Sequence, residues 1–279
     1  MRSRSCGICC AVILLTASAV AQSERAKATG ELPDILGIRP GMPIGEAFQV
    51  LKAHDPKGAI KYGQKRIDAV STKPITHALL YSPTASTEDP EAILVDITFP
   101  PSQQLVWRVT RTLQFSTGRE VPVATLVAAL RQKYGQEIAN KSQSLYWVFD
   151  GRGRQLTRSS GIDLVDCAQY VEIPTGLMSY ISAFSGGAPS SQNIPAGVAL
   201  NPTTVVANRD NCHQFVYAAA YLSSSVARPD VATAITVAIT DIGAGIRAGQ
   251  ATQAAMNNAA AAQRQQEIKK SQQQAAPTF

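Results

Sequence analysis

The chain has 279 residues, of which 45% are hydrophobic, and its formal net charge is +6. This length can bury a sizeable core in one domain or two. The positive charge is spread along the chain, and no basic cluster is interleaved with aromatic residues. Such a distribution argues against nucleic-acid binding and bears mainly on solubility.

Residues 1–21 show the three-part pattern of a secretory signal peptide. Two arginines form a positive start, an apolar run follows at 8–15, and small residues lead to an Ala-x-Ala motif that ends at Ala21. The apolar run is shorter than the roughly 20 residues that a membrane-spanning helix needs. The sequence therefore predicts cleavage between Ala21 and Gln22, and no membrane span in the mature chain.

Cleavage would change the cysteine inventory, because only Cys167 and Cys212 would remain. Two cysteines in an exported chain most often pair, so we predict a Cys167–Cys212 disulfide. Closing a loop of that length would stabilise the fold by about 4 kcal/mol in the chain-entropy description. The alternative is a nucleophilic Cys212 activated by His213, but adjacent side chains on a strand point to opposite faces.

The first predicted element after a polar lead-in at 22–32 is a helix. The stretch GIRPGMPIGEAFQVLK at 37–52 combines a Gly/Pro turn with apolar residues at helical spacing. Pro43 suits the first turn, where its missing N–H is no loss. We expect the helix to end near His54, ahead of Asp55-Pro56.

Three β-rich segments follow at 77–82, 92–99 and 105–115, and they predict an antiparallel sheet with one covered face. In the third segment, one alternating set would face one way: Val106, Arg108, Thr110 and Thr112. The other set is apolar except for one arginine: Leu105, Trp107, Val109, Arg111, Leu113 and Phe115.

A second helix is predicted at 122–135, with Pro122 at its start and Gly135 in the terminal position that favours glycine. A hairpin around Asp150-Gly151 is expected at 145–157. Further strands and a Gly/Pro/Ser-rich loop complete the pattern: strands at 161–173, 214–225 and 231–241, and the loop at 185–203.

The two helices can be aligned at an offset of 79 residues, so that Pro43 and Leu51 fall opposite Pro122 and Leu130. Each helix is followed by strands. This correspondence fits a duplicated helix-plus-hairpin module, and it equally fits two ordinary amphipathic helices that both begin with proline.

The last segment, 243–279, is rich in Ala and Gln, which favour helix. Its large apolar residues are few: Ile246, Met256 and Ile268. We expect a marginal helix that buries little and frays into a disordered tail. Binding to a partner is the alternative role for this segment.

Gly41-Met42-Pro43, Glu46 and Leu51 form a pattern that resembles the helix opening of bacterial envelope domains of the SmpA/OmlA outer-membrane lipoprotein type. The stretches LRQKYGQ and YWVFDGRG, with the two later cysteines, are similar to uncharacterised periplasmic proteins of proteobacteria. The first pattern covers under a tenth of the chain, and the chain lacks a lipidation site. The resemblance implies an envelope location and non-catalytic assembly or interaction work, and it carries over no functional residue.

Residues with catalytic or metal-binding potential are few. The three histidines, His54, His77 and His213, do not have metal-ligand spacing, and neither a Gly-x-Ser-x-Gly elbow nor a phosphate loop occurs. The GRGR stretch at 151–154 could bind an anion, although a hairpin turn with solvated arginines explains it more simply.

Paired acids occur at Asp163 and Asp166 and at Asp89 and Glu91. The second pair adjoins Pro90 in a polar stretch, so we expect it to be exposed to solvent. A glycosidase-type acid pair stays open as an alternative, because its members need only meet in space. We therefore assign no catalytic, cofactor-binding or metal-binding residue and expect no cofactor.

The sequence as a whole predicts a signal peptide, a single α+β domain at 33–242 and a tail at 243–279. The antiparallel sheet would be covered by two short amphipathic helices. The leading functional hypothesis is a non-enzymatic envelope or interaction protein with an envelope partner, in the periplasm or secreted fraction of a bacterium.

The second hypothesis is an exported hydrolase whose acids converge only in the fold. The third is a secreted effector that acts on a host, and the sequence does not distinguish it from the first. A cleft lined by two acids or a histidine with displaced pKa values would favour the hydrolase. An apolar surface without such groups would favour interaction.

Overall fold

The computed structural model describes residues 30–83, 89–141, 143–156 and 210–273. Within these residues the chain forms an α+β fold, as the sequence predicts, with three α-helices and nine strands. The helices are α1 Ile44–His54, α2 Val123–Tyr134 and α3 Ile242–Gln273. The strands are β1 Ala59–Lys65, β2 Ile75–Ser82, β3 Glu91–Ile97, β4 Val106–Gln114, β5 Val121–Pro122, β6 Ala139–Lys141, β7 Ser144–Phe149, β8 Val216–Ser225 and β9 Arg228–Asp241.

All the strands belong to one antiparallel sheet with the order β1-β2-β3-β4-β9-β8-β7-β6, and β5 pairs with β9. In the described residues, α1 precedes β1 to β4, and α2 precedes β6 to β9. The two runs meet at β4 and β9, where Arg108–Gln114 lies in register with Ala234–Thr240. Within the described residues, a helix followed by four strands thus occurs twice, and duplication of a helix-plus-hairpin module stays a prediction.

The two short helices begin and end where the sequence predicts. Pro43 directly precedes α1 and Pro122 directly precedes α2. Gly135 follows α2 with a φ of +85°, a conformation that glycine adopts without steric cost. Trp147 Nε1 donates to the Gly135 carbonyl at 2.8 Å, so a buried strand residue satisfies this helix end.

One face of the sheet packs against α1 and α2 to form the main core. Helix α1 buries Ala47 and Leu51, and α2 buries Leu130 and Tyr134. Large fully buried side chains of the strands complete this core: Leu79, Tyr81, Ile93, Ile97, Leu145 and Trp147.

The predicted alternation in β4 is wrong at its beginning. Val106 belongs to the core under the helices, whereas Trp107 contacts α3 on the opposite face, where a Cβ on Gly245 would lie 2.8 Å from its ring. The register between β3 and β4 shifts between Asp96 and Ile97. This bulge adds one residue to β4 and so exchanges the faces of all residues before it.

The prediction of a single covered face is wrong, because β2 and β3 are buried on both faces. The opposite face carries a polar row and the beginning of α3. Arg108 Nε donates to Asp96 Oδ2 at 2.6 Å, and both side chains are buried. The hydroxyls of Thr112 and Thr236 lie 3.0 Å apart across the β4–β9 pair. Satisfying polar groups in pairs limits the cost of burying them.

Helix α3 differs from the expected frayed tail, since it is continuous to Gln273. Its buried residues lie between Ile242 and Thr252, and Thr252 Oγ1 donates to the Pro100 carbonyl at 2.8 Å. The packed first turns supply the nucleus that an isolated helix lacks, and Ala and Gln then propagate it. No helix in the described part of the chain has the length and apolarity to span a membrane.

Several predictions concern residues outside the described ranges. These are the signal peptide with its Ala21–Gln22 cleavage site, the strand at 161–173 with Cys167, and the loop at 185–203. Strands β1 and β6, in contrast, are described but were not predicted, because neither has an apolar alternation.

Candidate binding pocket over the β4–β9 pair

A pocket of about 350 Å³ lies on the helix-covered face of the sheet, above the pair formed by β4 and β9. We call it the seam pocket, because it sits where the two runs of strands meet. Its lining comes from three places. These are β4 and the residue after it (Arg111, Leu113 and Phe115), β9 (Ile235 and Val237), and the surrounding wall (Ile35, Leu36, Leu126, Ala129, Leu130, Lys133 and Tyr134).

The strand register explains the floor of the seam pocket. Arg111 lies opposite Val237, and Leu113 lies opposite Ile235. Alternate residues share a face of a sheet, so these four side chains point toward the helices. Arg111 is the charged residue that interrupts this apolar set in the sequence.

The wall formed by α2 follows from helical spacing. Leu126, Leu130 and Lys133 recur at intervals of four and three residues, which places them on one side of the helix. Tyr134 follows directly and is buried. The helix thus presents apolar side chains to the pocket and a cation at its edge.

The remaining wall is a tight turn that holds Leu36 in an unusual conformation. Leu36 has a φ of +56°, a region that costs a non-glycine residue about 1–3 kcal/mol. Reciprocal backbone hydrogen bonds of 2.9 Å between Ile35 and Ile38, and a 2.8 Å bond from Gly37 N to Asp34 Oδ1, hold the turn. Strain of this kind concentrates at functional sites.

The polar lining of the seam pocket consists of two cations and a phenol. Arg111 Nε donates to Glu91 Oε1 at 2.5 Å, and Lys133 Nζ lies 3.3 Å from Asp34 Oδ1. Tyr134 donates its hydroxyl proton to the Asp34 carbonyl at 3.0 Å. Burial and the charge of Asp34 raise the pKa of Tyr134, so it stays protonated. The lining itself contains neither a carboxylate nor an imidazole.

A network of polar side chains adjoins the pocket through Arg111. Glu91 accepts a hydrogen bond from Arg111 and also lies 2.8 Å from His54 Nε2. Tyr81 donates to Asp55 Oδ2 at 3.1 Å, and its ring meets His54 edge-on with centroids 5.6 Å apart. Burial, with the Asp55 hydrogen bond, raises the pKa of Tyr81.

The His54–Glu91 pair has the geometry in which a carboxylate orients a histidine, as in hydrolytic triads. Within the described residues, however, no hydroxyl or thiol forms a hydrogen bond to His54. His54 is the last residue of α1, as predicted, but it bonds to Glu91 rather than to the terminal carbonyls of the helix.

The expectation that Asp89 and Glu91 are solvent-exposed is wrong. The Glu91 side chain is 12% exposed and bonds to Arg111 and His54. Asp89 Oδ1 accepts from Ser116 N at 3.0 Å, and Asp89 Oδ2 lies 3.0 Å from Arg119. Arg111 on β4 and Arg119 after it form ion pairs with these two acids. The sequence around the acids does not indicate these pairs.

The GRGR stretch forms the hairpin turn that the sequence predicts. Asp150 Oδ1 accepts from the backbone N–H groups of Arg152 and Arg154 at 2.9 Å each. Leu156 N then donates to the Val148 carbonyl at 2.8 Å. The side chains of both arginines are exposed to solvent, so the turn itself accounts for the motif.

The remaining candidate residues do not meet at one place. His77 is buried in β2, while Cys212 and His213 lie in a 3-10 segment, Asp210–Gln214. Cys212 is 1% exposed. Its proposed partner Cys167 lies outside the described residues, so the disulfide stays a prediction. Among the described residues, no three His, Cys, Asp or Glu side chains are grouped to hold a metal ion.

The described structure defines an antiparallel α+β protein with a pocket where its two strand runs join. In comparisons with known proteins, no family model matches this chain, and no curated protein or solved structure matches it. The resemblance to SmpA/OmlA-type domains therefore stays an expectation from the sequence.

Proposed function

We propose that this protein is an exported, non-enzymatic protein of the bacterial envelope or secreted fraction that recognises a partner through the seam pocket. The observation that carries the proposal is the chemistry of the pocket lining. Nine of its twelve residues are apolar, and the other three are Arg111, Lys133 and Tyr134. Such a surface suits binding by apolar burial with one or two orienting polar groups.

The position of the seam pocket supports the same proposal. Ligand pockets are concave and largely pre-formed, and this pocket lies between α2 and the β4–β9 pair. The strained Leu36 turn gives one wall a fixed shape. A fixed wall lowers the entropic cost of binding, because it need not be ordered when the partner arrives.

Hydrolysis receives less support from this geometry. A hydrolase would need a carboxylate or an imidazole aimed into the cleft. The acids that contact the lining cations are already paired: Glu91 bonds to Arg111 and His54, and Asp34 pairs with Lys133. The proposal of export depends on the signal-peptide pattern and on the two cysteines that remain after cleavage.

Site-specific photo-crosslinking in intact cells of the native host tests the proposal. A photoreactive amino acid would replace Ala129, an exposed residue of α2 that lines the seam pocket. Ala128 is the matched control, because it is also an exposed alanine of α2 but does not line the pocket. After irradiation, mass spectrometry identifies the crosslinked molecules.

We expect a reproducible envelope partner to be crosslinked from position 129 and not from position 128. The same set of molecules at both positions would contradict recognition through the seam pocket. So would the absence of any crosslink above background at position 129.

A further inference from the structure

We propose that the seam pocket binds an apolar molecule bearing a single carboxylate, an amphiphile of the fatty-acid type, with its carboxylate on Arg111 and Lys133. This inference rests on the proposed function, since it names the ligand class of the same site. It is carried by the distribution of charge and hydrogen-bond donors around the pocket.

The apolar part of the pocket defines the body of the ligand. Leu113, Phe115, Leu126, Ile235 and Val237 form a continuous apolar surface over the β4–β9 pair and α2. Covering such a surface yields about 25 cal/mol for each Å² removed from water. The volume of about 350 Å³ lies in the range of pockets for small ligands.

Arg111 has hydrogen-bond donors that the described residues do not use. A guanidinium group has five N–H donors in a planar fork. The Nε–H of Arg111 donates to Glu91. Its two Nη groups donate to none of the described residues. Its side chain is 34% exposed and lines the pocket, so a carboxylate can receive two parallel hydrogen bonds there.

Lys133 places a second positive charge at the edge of the same pocket. Among the described residues its Nζ has one acceptor, Asp34 Oδ1, at 3.3 Å, and it lies 5.4 Å from the Tyr134 ring centroid. An ammonium group has three donors, so capacity remains for a ligand. The pocket lining holds no carboxylate, so a bound anion contacts the two cations directly, while their acid partners Glu91 and Asp34 lie behind them.

The number of charges on the ligand follows from the neighbouring acids. Glu91 pairs with Arg111, and Asp34 pairs with Lys133. These partners offset much of the positive charge behind the pocket wall. The pocket therefore accommodates one negative charge better than the several charges of a phosphate ester.

Isothermal titration of the mature full-length protein with decanoate, decanol and decyltrimethylammonium tests the inference. The three probes share one apolar chain and differ in the charge of the head group. We expect decanoate to bind about tenfold to a hundredfold more tightly than decanol, because this ratio corresponds to the free energy of a hydrogen bond to a charged group. Decyltrimethylammonium should bind most weakly.

Arg111→Met should lower the affinity for decanoate to that for decanol and leave the affinity for decanol unchanged. Arg119→Met is the matched control, because Arg119 also pairs with an acid but does not line the pocket. If Arg111→Met does not fold, Lys133→Met should reduce the preference for decanoate in the same direction, since Lys133 is at the surface.

Equal affinities for decanoate and decanol would overturn the inference, and so would failure of decanoate to bind. Either result could coexist with a crosslinked partner at position 129, in which case only the assigned ligand class fails. If position 129 gives no crosslink but decanoate still binds, the proposed recognition of a partner is refuted and the assigned ligand class stands.

Discussion

At the scale of single residues, His77 shows how burial changes the behaviour of an ordinary side chain. It is 3% exposed within β2, and its ring stacks on Phe99 with centroids 5.5 Å apart. Burial lowers the pKa of His77 below its usual 6.5, although the charge of Asp96 opposes this effect. The native state therefore holds His77 neutral over a range in which the unfolded chain is protonated.

The pKa shift of His77 predicts a loss of stability in mild acid. Below 6.5 the unfolded chain binds more protons at this residue than the native protein, so the free energy of unfolding falls as the pH falls. His77→Phe removes the titrating group and retains a ring against Phe99. Urea unfolding of both proteins between about pH 5 and pH 8 measures the effect.

We expect the variant to gain stability relative to the parent protein as the pH falls through 6.5. The comparison at about pH 8 serves as the control, because His77 is neutral there in both states. A constant stability difference across the whole range would contradict the prediction.

At the scale of elements, the first turns of α3 are anchored by close packing. A Cβ on Gly243 would lie 1.9 Å from the His213 carbonyl oxygen, and one on Gly245 would meet the Trp107 ring. Asp241 Oδ1 accepts from Ala244 N at 2.8 Å, which caps the start of the helix. Small residues at the contact therefore allow α3 to lie directly on the sheet and on the 3-10 segment.

This packing predicts opposite effects for two identical substitutions in helices. Gly243→Ala should destabilise the protein by about 1–3 kcal/mol, because the new methyl group would collide with backbone that cannot move freely. Gly45→Ala in α1 has open space around the new Cβ and should raise stability by about 0.5–1 kcal/mol.

Urea unfolding measures both changes, and hydrogen exchange in α3 locates the first one. The Gly243 variant should lose protection in α3 before it loses protection in β2 and β3. Equal stability of the two variants would contradict the assigned contact between α3 and the 3-10 segment.

At the scale of the whole molecule, the pairing of β4 with β9 joins the two strand runs into one sheet. One face of this sheet holds the core beneath α1 and α2, and the seam pocket opens on that face. The other face holds the Asp96–Arg108 pair and the first turns of α3. The two faces therefore have different roles: one provides the candidate recognition surface, and the other anchors the C-terminal helix.

The signal-peptide pattern predicts the composition of the mature molecule. Intact mass spectrometry of protein from the exported fraction of its host should give a chain that begins at Gln22, with or without pyroglutamate formation. The physical reason is the short apolar run, which inserts into the export machinery but is too short to remain as an anchor. Retention of Met1 in the exported protein would contradict this prediction.

The sequence by itself predicts the elements whose causes are local. Proline before each short helix, glycine after α2, the β-rich composition of β2 to β4 and the Asp150-Gly151 turn all act over a few residues, and all are present in the structure. The class of fold follows from these elements. The sequence predicts a helix in the last segment but not its continuity to Gln273, because that continuity depends on packing of the first turns.

Only the tertiary structure decides which distant segments meet. Glu91 is largely shielded from solvent because Arg111 and His54 reach it from β4 and α1. Strand β4 pairs with β9 across more than a hundred residues of chain. The bulge that exchanges the sheet faces of Val106 and Trp107 depends on the register between β3 and β4. The sequence gives one indication of the seam pocket, which is the charged Arg111 within an apolar set of alternating residues. Hydrophobic periodicity reports which face of an element is buried but not its partner, and the partner is chosen by non-local packing of the whole sheet.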